Sequence, residues 1–313
     1  MPIMRAIALL PFCFTAAAYC ADVRLGIIGT DTSHVSVFTK AFNDEKSATH
    51  IAGAKVVAAY KGGSPDIESS ASRVEGYAKE ISEKYGVVIV PNISDLCGKV
   101  DGILLESVDG RKHLAQFKEA VKCGKPVFID KPLAATLADA REIARIAKAA
   151  KVAWTSASSL RWAEFIPTLK SPENKTITVW GPGPLEKTHQ LDLSWYAIHP
   201  IEILYARMGT GCVEVTRTVS DNDVVTGKWK DGRIGVVNVL RPYGDYGAMV
   251  FREKTMLQSP KYKHGYNPML TQLVQFFATG ALPVPNDETM EIFAFMDAAQ
   301  RSKENGGKPM PLR

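Results

Sequence analysis

Along residues 23–151, short apolar runs alternate with longer stretches in which apolar positions recur at helical spacing. The runs predict strands, and the longer stretches predict helices. The predicted strands are 23–28, 55–60, 87–90, 102–105 and 126–129, and the predicted helices are 35–43, 67–85, 113–123 and 137–150. This repetition predicts an α/β domain, a doubly wound parallel sheet covered on both faces. Such sheets bind ligands at the carboxyl ends of their strands, so motifs that follow a strand are the functional candidates.

The pattern changes after residue 151, where β-rich segments are separated by turn signals such as Asp231-Gly232. Strands are predicted at 176–180, 213–219, 223–230 and 234–240, and helices at 195–208, 268–279 and 287–304. This order predicts an α+β domain with a mainly antiparallel sheet. We therefore expect a first domain over 21–151 and a second over 152–313.

The first 20 residues have the features of a Sec-type signal peptide. Arg5 gives a positive start, residues 6–17 are apolar, and Ala16 and Ala18 form an Ala-x-Ala cleavage site. The apolar run is shorter than the roughly 20 residues that span a bilayer. We expect a periplasmic or extracellular protein that lacks residues 1–20 and has no membrane anchor once they are removed.

Charge and cysteine content exclude some classes of function. Lys and Arg total 38 against 33 Asp and Glu, and no run of like charge is long enough to indicate a nucleic-acid site. Cys97, Cys123 and Cys212 are scattered singly, without the spacing of metal ligands. We expect no metal, and we expect these cysteines to be buried as small hydrophobic residues rather than disulfide-bonded.

Residues 26–34 read Gly-Ile-Ile-Gly-Thr-Asp-Thr-Ser-His and follow the first predicted strand. A dinucleotide fingerprint needs three glycines, Gly-x-Gly-x-x-Gly, and only Gly29 fits it here. Asp31 and His34 take the other two positions, with Thr30 and Thr32 between them. We expect Asp31 to face the pyrophosphate, so that Asp31→Gly tightens dinucleotide binding by about 1 kcal/mol. Alternatively, Asp31 or Thr32 caps the following helix.

The second predicted strand is followed by Lys-Gly-Gly-Ser-Pro at 61–65 and has no carboxylate before Asp66. NAD sites usually place a carboxylate there for the ribose hydroxyls. Lys61, Ser64 and Arg73 could instead meet the 2′-phosphate of NADP, or the segment is a solvated turn. The choice between NAD and NADP therefore stays open.

A longer signal runs from 101 to 133: Asp-Gly-Ile-Leu-Leu-Glu-Ser, a helix carrying His113, and Gly-Lys-Pro-Val-Phe-Ile-Asp-Lys-Pro-Leu. With the opening Gly-Ile-Ile-Gly, it resembles the glucose-fructose oxidoreductase / inositol dehydrogenase / MocA (Gfo/Idh/MocA) family. The resemblance implies a Rossmann-type first domain whose Asp-Lys-Pro turn lies beside the nicotinamide, with Lys131 on the substrate hydroxyl. It also implies cofactor contacts from Glu106, Ser107, His113 and Asp130.

The second half agrees with this resemblance. Residues 159–162 read Ser-Leu-Arg-Trp and resemble a segment that crosses back from the first domain, and 193–202 resemble the helix that carries the family's catalytic histidine, here His199. Trp195 stands where the family has an aspartate one turn earlier. The expected substrate-binding residues are Arg161, His189, Asp192 and Trp195, and the alternative for His199 is a satisfied core histidine.

These observations predict an NAD- or NADP-dependent oxidoreductase acting on a hydroxyl of a sugar, polyol or derivative. Lys131 and His199 handle the proton in one pocket between the domains. Two other functions stay open. One is a glycoside-cleaving enzyme that retains NAD and works by oxidation and elimination, and the other is a cofactor-free binding protein, which Asp31 favours. By analogy with the family, the open face of the second sheet predicts a homo-oligomer.

Overall fold

The computed structural model describes residues 21–169, 174–263 and 265–313. The predicted signal peptide at 1–20 lies outside these residues. The described chain forms two sheets, one of six strands and one of seven.

The first sheet is parallel and follows the order β3-β2-β1-β4-β5-β6. Its strands are β1 (Val23–Ile28), β2 (Ala54–Tyr60), β3 (Val88–Val90), β4 (Gly102–Leu105), β5 (Val127–Ile129) and β6 (Trp154–Thr155). Strand order reverses between β1 and β4, so a ligand crevice is expected at their carboxyl ends. The predicted doubly wound sheet is confirmed.

The helices of this half are α1 (Ser33–Asn43), α2 (Glu68–Ala71), α3 (Val74–Tyr85), α4 (Gly110–Ala120) and α5 (Leu137–Ala150). Thr32 caps α1, because its hydroxyl accepts from the backbone N of His34. The helix predicted over 67–85 is divided into α2 and α3 by a two-residue turn at 72–73. Tertiary hydrogen bonds of α2, described below, outweigh its helical periodicity.

The second sheet follows the order β12-β11-β7-β10-β9-β8-β13. Of the pairings in this sheet, the one between β10 and β7 is parallel and the others are antiparallel. Its strands are β7 (Thr176–Pro182), β8 (Cys212–Thr218), β9 (Asp223–Trp229), β10 (Ile234–Leu240), β11 (Gly247–Phe251), β12 (Met256–Gln258) and β13 (Met310–Pro311). Helices α6 (Ile198–Met208), α7 (Asn267–Thr279) and α8 (Asn286–Glu304) complete this part of the chain. The predicted mainly antiparallel sheet is confirmed, although its strands β11, β12 and β13 were not predicted.

Helix α7 belongs to the second half of the chain but packs against the first sheet. Leu273 and Phe276 are buried in one apolar cluster with Ile27 and Phe38. Gly102 allows this approach, since a Cβ there would lie 2.4 Å from the ring of Phe277. The two sheets are therefore held together by shared core, and the start of α7 lies near the ends of β1 and β5.

Cys97 and Cys123 form a disulfide with a Cα–Cα distance of 4.7 Å, so the prediction that they are free is wrong. The sequence did not predict this pairing because the two cysteines are 26 residues apart and come together only when neighbouring loops of the sheet fold. Cys212 is free and buried, as predicted. None of the helices in the described part of the chain is long and apolar enough to cross a membrane.

Candidate active site

A pocket of about 300 Å³ lies between the two halves of the chain, at the carboxyl ends of β1 and β5. The first half contributes the start of α1, the α2 region and the turn after β5, and the second half contributes α6 and several aromatic residues. The lining residues are Thr32, Ser33, His34, Ser69, Arg73, Val108, Lys131, Ser159, Leu160, Trp195, Tyr196, His199, Tyr243, Tyr246 and Tyr266. Lys131 and His199 thus share one pocket, as the sequence analysis expects.

Lys131 enters the pocket from the turn after β5, where Pro132 follows it. Its Nζ lies 5.8 Å from the ring centroid of Tyr196, in cation–π range. Burial lowers the pKa of Lys131, and the charge of Asp130 offsets part of this effect. The ammonium is therefore a desolvated donor whose proton is easier to release than that of a surface lysine.

His199 reaches the pocket from the first turn of α6. Its Nδ1 lies 2.6 Å from Oγ of Ser158, and the edges of Tyr196 and Tyr246 face the ring. Ser158 also donates its backbone N–H to Glu202, at 3.3 Å. A serine hydroxyl, rather than the aspartate that the family places one turn earlier, therefore orients this imidazole.

His34 forms a second imidazole site across the pocket from His199. Its Nδ1 lies 2.5 Å from Oδ2 of Asp130, and its ring stacks on Phe38 and meets the edge of Tyr266. Burial raises the pKa of Asp130, but His34 and Lys131 outweigh this effect and the pKa lies below its usual value. Asp130 is therefore a carboxylate that fixes the orientation of His34. His34 lines the pocket, so its contact with the cofactor stays a prediction, and Asp130 lies behind it.

Residues 62–73, here called the strap, leave the end of β2 and cross above β1 before α3 begins. Thr30 holds both ends of the strap. Its backbone N donates to the carbonyl of Lys61 at 2.7 Å, and its hydroxyl donates to the first carbonyl of α3 at 2.9 Å. Gly62 rests on the turn after β1, since a Cβ there would lie 3.3 Å from the Cα of Gly29.

Further along, the strap is fixed by buried polar contacts. Ser70 donates its hydroxyl to Oδ2 of Asp31 at 2.6 Å, and the backbone N of Val108 donates to Oδ1 at 3.1 Å. Ser64 donates to Oδ2 of Asp109 at 2.6 Å. All of Asp31, Ser70 and Asp109 are 0% exposed. The prediction that Asp31 faces a pyrophosphate is therefore wrong for this arrangement, because the strap takes one of its oxygens and the loop after β4 takes the other.

The suggested 2′-phosphate site does not form in this arrangement. Lys61 is paired with Glu75, with an N–O distance of 2.9 Å, and Ser64 is committed to Asp109. Of the three residues suggested, Arg73 alone lines the pocket.

Other predicted cofactor residues serve packing around the crevice. Ser107 lies against Gly29, where a Cβ would come within 2.4 Å of its backbone N. His113 is buried between the carbonyls of Ser107 and Leu133, at 2.7 and 3.2 Å, and burial lowers its pKa. Glu106 is 0% exposed, and burial raises its pKa well above the usual value. Neither His113 nor Glu106 lines the pocket, which differs from the cofactor contacts predicted for them.

Three of the four predicted substrate residues lie outside the pocket as well. Arg161 forms ion pairs with Glu202 and Glu288. Asp192 pairs with Arg217 at 2.7 Å, which fixes it within the second domain. His189 lies 3.5 Å from Asp109 and against Trp195. These three side chains are paired with charged residues inside the fold. Of the four predicted substrate residues, only Trp195 lines the pocket.

Several pocket residues were not predicted, above all Tyr196, Tyr243, Tyr246 and Tyr266. A usable signal was present, because Arg-Pro-Tyr-Gly-Asp-Tyr-Gly at 241–247 places two tyrosines in a turn directly after the predicted strand 234–240. No group of His, Cys, Asp or Glu suited to holding a metal ion occurs among residues 21–169, 174–263 and 265–313.

The crevice can be tested for its fit to a dinucleotide. In this fold a dinucleotide lies along the carboxyl ends of β2, β1 and β4, with its pyrophosphate at the start of α1. The pocket beside Lys131 suits the nicotinamide end. The strap occupies the crevice above Gly29 and reaches Asp109 at the start of α4, so the ADP part does not fit while the strap lies there.

Comparison with known proteins agrees with this architecture. The Gfo/Idh/MocA family model, an oxidoreductase family with an NAD-binding Rossmann fold, matches residues 23–157. No curated protein sequence is similar enough to the chain to count as a match.

Solved structures share the fold over nearly the whole chain. A putative myo-inositol dehydrogenase from Sinorhizobium meliloti 1021 aligns with a TM-score of 0.75 and 16% identity, covering 93% of this chain and 100% of its own. The myo-inositol dehydrogenase from Lactobacillus casei, crystallised with NAD(H) and myo-inositol, aligns with a TM-score of 0.73 and 18% identity. The alignment covers 93% of this chain and 97% of the dehydrogenase. A scyllo-inositol dehydrogenase from the same organism aligns with a TM-score of 0.71 and 12% identity, covering 93% of this chain and 99% of its own.

Proposed function

We propose that the chain is a member of the Gfo/Idh/MocA family of oxidoreductases, whose model matches residues 23–157, and that it oxidises or reduces a hydroxyl-bearing carbon of a sugar or polyol. The observation that carries the proposal is the shared pocket of Lys131 and His199, which come from different halves of the chain. NAD, the cofactor of this family, supplies the hydride acceptor or donor when it is bound.

The residues of the pocket suit the proton half of such a reaction. Lys131 is a desolvated donor that can hold the substrate oxygen and stabilise negative charge on it. Two imidazoles are available as proton acceptors: His199, oriented by Ser158, and His34, oriented by Asp130. We assign the hydroxyl proton to Nε2 of His34, because a carboxylate stabilises the imidazolium that would form there.

The lining also supports the class of substrate. Trp195, Tyr196, Tyr243 and Tyr246 present aromatic surface to the pocket, next to the hydroxyls of Ser33 and Ser159. Aromatic faces pack against the C–H surface of a sugar ring, and hydroxyls fix its orientation. A volume of about 300 Å³ is at the lower end for ligand pockets and suits one ring. The inositols bound by the structural neighbours are molecules of this kind.

The test is turnover by the purified chain. NAD⁺ reduction at 340 nm is followed with myo-inositol, scyllo-inositol and simple hexoses, and then with glycosides. Lys131→Ala and His34→Ala are expected to lower the rate about 100-fold or more, because they remove the donor that holds the substrate oxygen and the assigned proton acceptor. Dehydrogenation of a polyol supports the proposal, and glycoside cleavage without net change at 340 nm would indicate elimination instead. Absence of NAD-linked turnover with all of these compounds would overturn the proposed oxidoreductase activity.

One observation favours a second function. The strap lies where the ADP part of a dinucleotide would bind, while the pocket beneath it stays open. A small-molecule binding protein without redox activity needs only that pocket. Binding of a polyol by a chain that neither binds NAD⁺ nor turns it over would favour this second function.

We also propose that the protein is exported, on the predicted signal peptide and on the Cys97–Cys123 disulfide. Disulfides persist in oxidising compartments and are rare in the cytosol. Fractionation with intact-mass analysis tests this, because an exported chain that still begins at Met1 would contradict it.

A further inference from the structure

We propose that the strap is a built-in occupant of the ADP subsite, so that NAD binds only when residues 62–73 move out of the crevice. This inference rests on the proposed function, since it concerns how the cofactor reaches the same site. In the form described here the strap closes the ADP subsite.

The strap lies in the space that the pyrophosphate of a dinucleotide needs. Parallel sheets of this order bind the pyrophosphate above the turn after β1, between the loops that follow β1 and β4. Gly62 closes that gap, because a Cβ on it would lie 3.3 Å from the Cα of Gly29 and 3.4 Å from Oγ of Ser107. A pyrophosphate and the backbone of Gly62 cannot both occupy this space.

Side-chain contacts hold the strap in the crevice. Ser70 is the central contact, because its Oγ accepts from the backbone N of Ser64 at 2.7 Å and donates to Asp31 at 2.6 Å. Ion pairs add a tie at the surface, where Arg111 joins Asp66 of the strap, at 2.8 Å, to Asp109. These are side-chain contacts rather than a sheet or long helix, so the strap can be released without unfolding β1 or β4.

The strap also forms part of the pocket. Ser69 and Arg73 of the strap form part of the pocket wall, beside the start of α1. When the strap leaves the crevice, the same movement changes this wall. Cofactor entry and the shape of the substrate pocket are therefore coupled through one segment.

This arrangement predicts weak NAD binding by the wild-type chain and tighter binding by variants with a loosened strap. The apparent dissociation constant rises as the open fraction falls. Ser70→Ala removes both contacts of the central hydroxyl and is expected to tighten NAD⁺ and ADP-ribose binding about tenfold. Ser72→Ala is the matched control, because the exposed Ser72 bonds only to the carbonyl of Glu68 within the strap, and it should change affinity less than twofold.

Calorimetric titration with NAD⁺ and ADP-ribose measures these affinities, and hydrogen exchange supplies a readout on the wild-type chain. Amides of residues 62–73 should be protected in the free protein and exchange at least tenfold faster with NAD⁺ bound. Equal affinity of wild type and Ser70→Ala, or strap amides that stay protected in the NAD complex, would overturn the inference. So would failure of the folded Ser70→Ala variant to bind NAD⁺. Neither measurement needs turnover, so a missing activity would count against the proposed function alone.

Discussion

Nδ1 of His34 lies 2.5 Å from Oδ2 of Asp130, directly beside Lys131 in the sequence. His34 stands at the third glycine position of the dinucleotide fingerprint, where the sequence favoured a cofactor contact. The fold instead turns the imidazole toward the turn after β5 and into the pocket wall. A departure from a binding motif has thus placed a carboxylate-oriented imidazole in the candidate active site.

We expect His34→Gln to lower kcat about 100-fold with little change in KM, because glutamine keeps polarity but cannot take a proton. Asp130→Asn should lower kcat about tenfold, since Asp130 acts through His34. A downfield imidazole N–H resonance should be present in the wild type and absent from both variants. His50→Gln is the control, because His50 contacts the carbonyl of Ala41, away from the pocket. Wild-type kcat in His34→Gln would remove His34 from the proton path.

Much of the first sheet could be predicted, because its signals are local. The bounds of β1, β4 and α5 agree with the apolar pattern, since the two strands are buried on both faces of the sheet and the helix buries one face against it. The strap could not be predicted in this way. Its residues have helical periodicity, but Ser64 and Ser70 find partners in loops far away in sequence. Likewise, Arg161 and Asp192 looked like site residues until charged partners in the folded chain were visible.

The pH dependence of stability should show the burial of Glu202. Burial, only partly offset by Arg161, raises the pKa of Glu202 from 4.5 to about 7. The native state therefore keeps a proton that the unfolded chain has lost between these values, so stability falls as pH rises from about 4.5 to 7. The full effect is at most about 3 kcal/mol. Urea unfolding across this range should show a shallower decline for Glu202→Gln, whereas the exposed control Glu119→Gln should follow the wild type.

The disulfide should stabilise the folded chain, so that a reductant lowers its Tm. Closing the 26-residue separation between Cys97 and Cys123 restricts the unfolded chain, which corresponds to about 3 kcal/mol. Dithiothreitol should lower the Tm of the wild type and leave the Tm of Cys97→Ser/Cys123→Ser unchanged. Cys212→Ser serves as control, because Cys212 is unpaired and should leave the response to reductant intact. A wild-type Tm that does not change on complete reduction would contradict a stabilising role of the disulfide.

The turn after β1 should tolerate no side chain at Gly29. Its φ is +93°, and a Cβ there would lie 2.3 Å from Oγ of Ser107 and 2.4 Å from its backbone N, so the loop after β4 would have to move. Backbone strain and this displacement together should make Gly29→Ala less stable by about 2 kcal/mol or more. Gly98→Ala is the matched control, because nothing lies within 4 Å of a Cβ at Gly98. Since the strap rests on Gly29 through Gly62, the variant should also speed hydrogen exchange in residues 62–73. Unfolding curves that superimpose for Gly29→Ala and Gly98→Ala would show that these loops do not pack as closely as described.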